Sequence, residues 1–522
     1  MKKKFLTTCI AVCALAFGLG LASCGKSEAQ DDSKLAFELV NGSYTVVGMG
    51  EHEEGILTIP STYKGKPVTA IGSEAFSGVA ELGKVTIPDS VTTIEEKAFY
   101  SCINLTELSM GNGVTAIAPE AFAYCNLLEN ATFSSSLETV GASAFIGCVR
   151  LKEAVFADTV KTISNNAFEE CKNLQTVTFG KSVELIGERA FYNCVGISGI
   201  EIPDGAPTQI LKEAFFACGN AQYIRLGNDV TSVGDSAFQS CAFVREIVLG
   251  DGLVSIGETA FSGCRKVYQI TVGSSLQTVG SSAFEKCQLL REIYNRSDLT
   301  ITLGNQKALG GLGYYAWYVR SIDEPTRISK DEVGLVYYTE YGAEGEIKRK
   351  ALIAVDLKTH TDIVVPDDVT EIGEYACYNE QLIKSVVIGS GCTRLGFSAF
   401  RNSYKIEYVK LGENVTSIAN SVFRYNGYIT SLVIGKNIKS VGSEAFLKKD
   451  GDRYFKNYKT VYFEGTKAEW EPIKDLIDYT KEGEDNGNGH LNKATVLFYS
   501  ESKPAASNTY WRYVDGKPTM WE

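Results

Sequence analysis

Along most of the chain, apolar residues recur in a fixed order. An Ala-Phe pair appears at Ala75-Phe76, Ala98-Phe99, Ala121-Phe122, Ala144-Phe145, Ala167-Phe168 and Ala190-Phe191, then at Ala214-Phe215, Ala237-Phe238, Ala260-Phe261 and Ala283-Phe284. The step is 23 residues, and once 24. After a lapse the pattern resumes with Ala376-Cys377, Ala399-Phe400, Val422-Phe423 and Ala445-Phe446. Within one unit, Leu105, Leu108 and Met110 predict a short strand, Gly111-Asn112-Gly113 a turn, Val114 and Ile117 a return to the interior, and Ala121-Phe122 with Cys125 the closing corner. The spacing of Leu108 and Met110, or of Val177 and Phe179, sends the residue between them to the opposite face of a sheet. The Gly-Asx turns are expected to take positive φ, where the chain bends sharply.

No such unit can bury its apolar face alone, so stability must come from stacking on neighbours about 4.8 Å away. A period of this length with leucine-like positions inside each unit is the signature of a leucine-rich-repeat solenoid. The predicted fold is an α/β repeat solenoid dominated by β, a right-handed coil of short parallel strands interrupted by a small β insert. It divides into an N-terminal capping segment (36–74), a first solenoid block (75–297), an irregular aromatic-rich insert (298–365), a second block (366–465) and a C-terminal cap (466–522). The insert is expected to interrupt the solenoid without ending it, so that the coils form one filament.

The run Val233-Gly234-Asp235-Ser236-Ala237-Phe238-Gln239-Ser240-Cys241 resembles the BspA-type leucine-rich-repeat family of bacterial surface proteins. The likeness covers most of residues 36 to 465, and Ile59-Pro60-Ser61-Thr62-Tyr63-Lys64-Gly65-Lys66-Pro67-Val68 looks like that family's segment before the first full repeat. The resemblance implies adhesion to host extracellular-matrix proteins and to other cells.

Cys102, Cys125, Cys148, Cys171, Cys194, Cys218, Cys241, Cys264 and Cys287 all stand three residues after the Phe and must form a column. Disulfides between neighbours, metal ligation and buried thiols compete. An odd number and parallel rather than convergent Cβ directions favour buried thiols. Val79, Glu380, Ser403 and Asn426 at the corresponding places point to a small-residue slot. Metal binding is disfavoured, because no C-x-x-C spacing or companion His occurs.

In the insert, Gly310-Gly311-Leu312-Gly313 precedes Tyr314, Tyr315, Trp317 and Tyr318, a candidate aromatic patch for a glycan or protein. Packing over an exposed solenoid end is the favoured alternative. Val336-Tyr337-Tyr338-Thr339 and Ala351-Leu352-Ile353-Ala354-Val355 predict strands. In the C-terminal segment, the stretch from Trp470 to Ile477 looks amphipathic, and Glu482 to Gly489 reads as a solvated acidic loop that fits no calcium spacing.

Met1-Lys2-Lys3-Lys4, an apolar run from Phe5 to Leu19 and Leu21-Ala22-Ser23-Cys24 predict an export signal over residues 1–23. The last four resemble a bacterial lipobox, which would make Cys24 the site of diacylglycerol attachment and residues 24–35 a tether to the membrane. A formal net charge of −12 argues against nucleic-acid partners, which need clustered Lys and Arg.

Catalysis is not expected. Only His52, His360 and His490 are available, and they fall far apart in the sequence. No H-E-x-x-H, phosphate-binding glycine loop or G-x-S-x-G elbow occurs, and no metal or small-molecule cofactor is implied. Binding is assigned instead to the strand positions flanked by core residues: Thr86, Ser109, Thr132, Val155, Thr178, Glu201, Arg225, Val248 and Thr271. Their surface, long and shallow, suits an extended protein or glycan partner. The competing reading is an architectural spacer that presents a terminal module and has no ligand in the solenoid.

Overall fold

The computed structural model of the 522-residue chain describes residues 34 to 521, apart from 53–54, 322, 358, 448–458, 479–487, 489–490, 492–493 and 506–508. The export signal, Cys24 and most of the tether lie outside the described residues, as do His490 and nearly all of the acidic loop. Each coil has three sides, and each side stacks on its neighbours through the backbone. The first is a longer strand such as Lys84–Ile87 or Glu107–Met110, paired in parallel so that Leu108 lies beside Val85 and Ser109 beside Thr86. The second is a two-residue strand such as Thr93–Ile94, Ala116–Ile117 or Thr139–Val140, also parallel. These short strands are too brief to show alternation, so the apolar pattern locates their core residues but not the sheet.

The third side is the Ala-Phe corner. There the Phe99 N–H donates to the Ala121 carbonyl at 2.7 Å and the Ser101 N–H to the Ala123 carbonyl at 2.8 Å, repeating from coil to coil. Left-handed residues flank the pair, among them Lys97 (φ 55) and Ser101 (φ 55). Such a backbone costs about 1–2 kcal/mol per residue without glycine, and here the bonds to the next coil hold it in place.

The Gly-Asx turns need correcting on this point. Gly111 and Gly113 are absent from the positive-φ residues; a Cβ on Gly113 would stand 1.9 Å from the Asp89 carbonyl oxygen. Glycine is required there for the close approach of successive coils, not for left-handed backbone.

Ten phenylalanines from Phe76 to Phe284 form one buried file, their rings stacked 4.9 to 5.2 Å apart. Where the inward strand residue shrinks to Ala131, Ala154 or Val177, the residue two further on is Phe133, Phe156 or Phe179. These rings meet the file edge-on, as Phe133 does Phe145 at 5.4 Å and Phe179 does Phe191 at 5.6 Å.

The cysteine column is buried and holds free thiols. Each Sγ donates to the carbonyl of the Phe one coil back, Cys125 to Phe99 and Cys171 to Phe145 at 3.2 Å. In the second block Ser403 Oγ donates to the Cys377 carbonyl at 2.6 Å and Asn426 Nδ2 to the Phe400 carbonyl at 2.7 Å. Wherever a coil precedes it the slot holds a small donor, whereas Val79 and Glu380, in the first coil of each block, make no such bond.

The expectation of one continuous filament fails. The first block's long-strand ladder ends at Tyr318–Arg320, and the second block starts from an antiparallel hairpin, Leu335–Tyr341 with Ile347–Val355, whose second strand pairs with Glu371–Ile372. Asp362–Val365, within the 298–365 segment, is already a rung of the second block. No described sheet crosses the junction. The hairpin's second strand opens the short-strand stack of the second block, and Asp362–Val365 opens its long-strand stack.

Side chains join the blocks instead. Lys266 Nζ donates to the Tyr378 carbonyl at 2.6 Å and pairs with Glu380, and Arg245 pairs with Asp356 at 3.2 Å. Trp317 lies between the Arg291 and Arg349 guanidiniums, 4.4 and 4.0 Å from its centroid.

Both stacks end on a carbonyl supplied from outside the repeat. The Phe284 N–H donates to the Gly310 carbonyl at 2.9 Å, and the Phe446 N–H to Asn488 Oδ1 at 3.0 Å. Lys467–Asp478 forms a helix whose Trp470, Ile473 and Ile477 cover the second core. Thr466 and Glu469 close its first turn as a capping box, the Thr466 N–H donating to Glu469 at 2.8 Å and the Glu469 N–H to Thr466 Oγ1 at 3.3 Å.

Candidate binding surface

The strand residues singled out in the sequence form columns in strict register. Thr86 pairs with Ser109 and Ser109 with Thr132; Val155 pairs with Thr178; Glu201, Arg225, Val248 and Thr271 follow one another. Val155 is 52% exposed, and Ser109, Thr132, Thr178, Glu201 and Arg225 are exposed; Thr86, Val248 and Thr271 are half-buried. The alternation that buries Leu108 and Met110 turns Ser109 outward, because the strand has a period of two.

Register carries the column beyond the residues expected, to Tyr294 and Arg320, whose guanidinium stacks 3.7 Å above the Tyr294 ring. A second column continues through Val364, Val387 and Lys410 in the other block. The alternating pattern of Asp362–Val365 and Ser385–Ile388 held that signal; the placing of Asp362–Val365 inside the irregular segment hid where the column begins.

The first block's column is divided where the sheet order breaks, between Asn130–Thr132 and Glu153–Val155 and again between Thr176–Thr178 and Ile200–Ile202. At the second break a groove of about 320 Å3 opens, lined by Thr176, Thr178, Glu201, Pro203 and Tyr223. Gly199 makes room for it: a Cβ there would stand 2.3 Å from Cζ of Tyr223, whose ring leans across the glycine. The groove thus joins two expected column residues, Thr178 and Glu201, to an aromatic wall that the sequence did not single out. Beside it, Arg225 stacks on Tyr223 at 4.5 Å and pairs with Glu246 at 3.2 Å.

The four aromatics of the insert do not form one open patch. Trp317 is enclosed by Arg291 and Arg349, the Arg327 guanidinium lies 3.5 Å above Tyr318, and Tyr315 packs on the first core. Tyr314 is exposed, and with Tyr315 lines only a water-sized hollow of about 20 Å3.

His52 lies beside the Ile56 carbonyl, in the N-terminal segment, and His360 is exposed at the start of the second block. Among the described residues no group of three or more His, Cys, Asp or Glu could hold a metal ion, and no helix is long and apolar enough to cross a membrane.

The sequence matches the BspA type leucine rich repeat region with 6 copies, over residues 57–175, 161–291 and 354–460. No curated protein matches it. Among solved structures it is similar to a leucine-rich repeat protein from Bacteroides ovatus ATCC 8483, with 20% identity, TM-score 0.43, and 86% of this chain and 97% of that one covered. A leucine rich cell surface protein from Faecalibacterium prausnitzii A2-165 gives 18% identity, TM-score 0.29 and coverage of 86% and 98%. The leucine rich repeat protein of T. pallidum gives 23%, 0.33, and 41% and 90%.

Proposed function

Since the chain belongs to the BspA-type leucine-rich-repeat family, we propose that it is a non-enzymatic adhesion protein of the bacterial surface, exported and held there by a lipid on Cys24. Its ligand is an extracellular protein or glycan that lies along the long-strand face. The observation carrying this reading is the outward row from Thr86 to Thr271, in register within each of three successive sheets and opened between Thr178 and Glu201 into a groove walled by Tyr223. A shallow surface repeated at strand spacing matches an extended partner better than a compact metabolite, which needs deep enclosure. The tyrosine and arginine beside the groove are the residue types that dominate binding energy at interfaces.

The test is an array of extracellular-matrix proteins and host-surface glycans probed with the full chain. Saturable binding to at least one member is the expected result. A chain that binds none of them is a spacer.

A further inference from the structure

We propose that the second block carries a separate saccharide site, a groove that takes a neutral or N-acetylated oligosaccharide chain lying across the rungs. It goes beyond the reading above, which concerns the first block's face, and can fail without it.

Two hollows of about 450 and 520 Å3 adjoin on the outward face of this block and share Glu413, Glu464 and Tyr513. The floor is the outward column of Val364, 65% exposed, with Val387 and Lys410. One wall is the turn row of Asp367, Ser390 and Glu413; the other is Tyr513, with Tyr499 beyond it. From the rung of Val364 to that of Glu464 there are four steps, on the order of 19 Å at strand spacing.

The walls are built before any ligand arrives. Trp511, fully buried, donates Nε1–H to the Phe463 carbonyl at 3.1 Å and packs edge-on against Tyr513, 4.8 Å between centroids. The Tyr513 hydroxyl donates to Glu464, and Lys410 Nζ stands 4.4 Å from its ring. Asp367 is fixed by the Ser390 N–H and hydroxyl at 2.6 and 2.9 Å, and Asn437 Nδ2 donates to the Glu413 carbonyl at 3.0 Å. Among the described residues the Glu413 carboxylate has neither a hydrogen-bond nor an ion-pair partner, although it borders both hollows.

The chemistry selects the ligand class. The floor strands are paired rung to rung from Asp362–Val365 through Thr460–Phe463, so their backbone groups are already used and an added peptide strand has no edge to join. Three carboxylates against Lys410 and Lys436 disfavour polyanions. Sugar hydroxyls both donate and accept, which suits a lining of carboxylates, an amide and a lysine, and a tyrosine ring offers apolar area to the C–H face of a pyranose.

Calorimetric titration of the full chain with cellotetraose, mannotetraose, chitotetraose and tetragalacturonate tests this. At least one of the first three binds and tetragalacturonate does not. The double variant Glu413→Gln, Asn437→Ala weakens that binding by roughly tenfold or more with an unchanged melting temperature, whereas Thr178→Ala in the first block leaves it intact. No binding by the three at millimolar concentration, equal or tighter binding of tetragalacturonate, or affinity untouched by the double variant overturns the proposal.

Discussion

The hydroxyl of Ser403 donates to the Cys377 carbonyl 2.6 Å away, one coil back, filling the bond that Cys171 Sγ makes to Phe145 at 3.2 Å in the first block. The column is defined by a donated bond rather than by sulfur. Cys171→Ser is therefore expected to fold with a melting temperature near that of the parent, while Ser403→Ala strips a buried carbonyl of its donor and costs about 1–3 kcal/mol, read by thermal or denaturant unfolding.

That column also shows how far the sequence could be read. The 23-residue step put the cysteines in line and turned Thr86 to Thr271 outward, because periodicity fixes which face a residue occupies. It could not show that the thiols donate, since the Phe carbonyl they meet lies 26 residues away in the chain. Nor could it show the Tyr223 wall, which depends on the missing side chain of Gly199, or the junction, which side chains from distant segments assemble. The left-handed corners escaped because they fall on Lys97 and Ser101, residues with no particular liking for that backbone.

The same column predicts sensitivity to alkali. Burial pushes the thiols of Cys148 and Cys241 up to about 12 from an ordinary value of 9.0. A folded-state pKa above the unfolded one means that the unfolded chain loses its thiol protons first, so stability is intact below about pH 9 and falls as the pH rises towards 12. Melting temperatures measured across that window should decline. In the native protein at neutral pH these thiols should resist a thiol-reactive dye and become titratable on unfolding.

At the junction, Trp317 is the ring on which Arg291 and Arg349 both stack, and it meets Tyr338 edge-on at 5.3 Å. Trp317→Ala is expected to remove about 3–5 kcal/mol of packing from the contact between blocks. Small-angle scattering should then show a larger radius of gyration, with the strand signal in circular dichroism retained because each block keeps its own core.

Cys24→Ala removes the proposed site of lipid attachment. It should move the protein from the membrane fraction to the soluble fraction of cells, without altering ligand binding by the isolated product.

The most direct test of the outward long-strand face as the binding surface is surface plasmon resonance on whichever matrix protein or glycan the full chain binds, comparing the parent with Thr132→Arg, Thr178→Arg, Val248→Arg combined. These positions are exposed or half-buried on that face, so three long side chains should obstruct it while the coils stay folded. The expected result is a loss of affinity of roughly tenfold or more. An unchanged affinity in a folded triple variant contradicts the account.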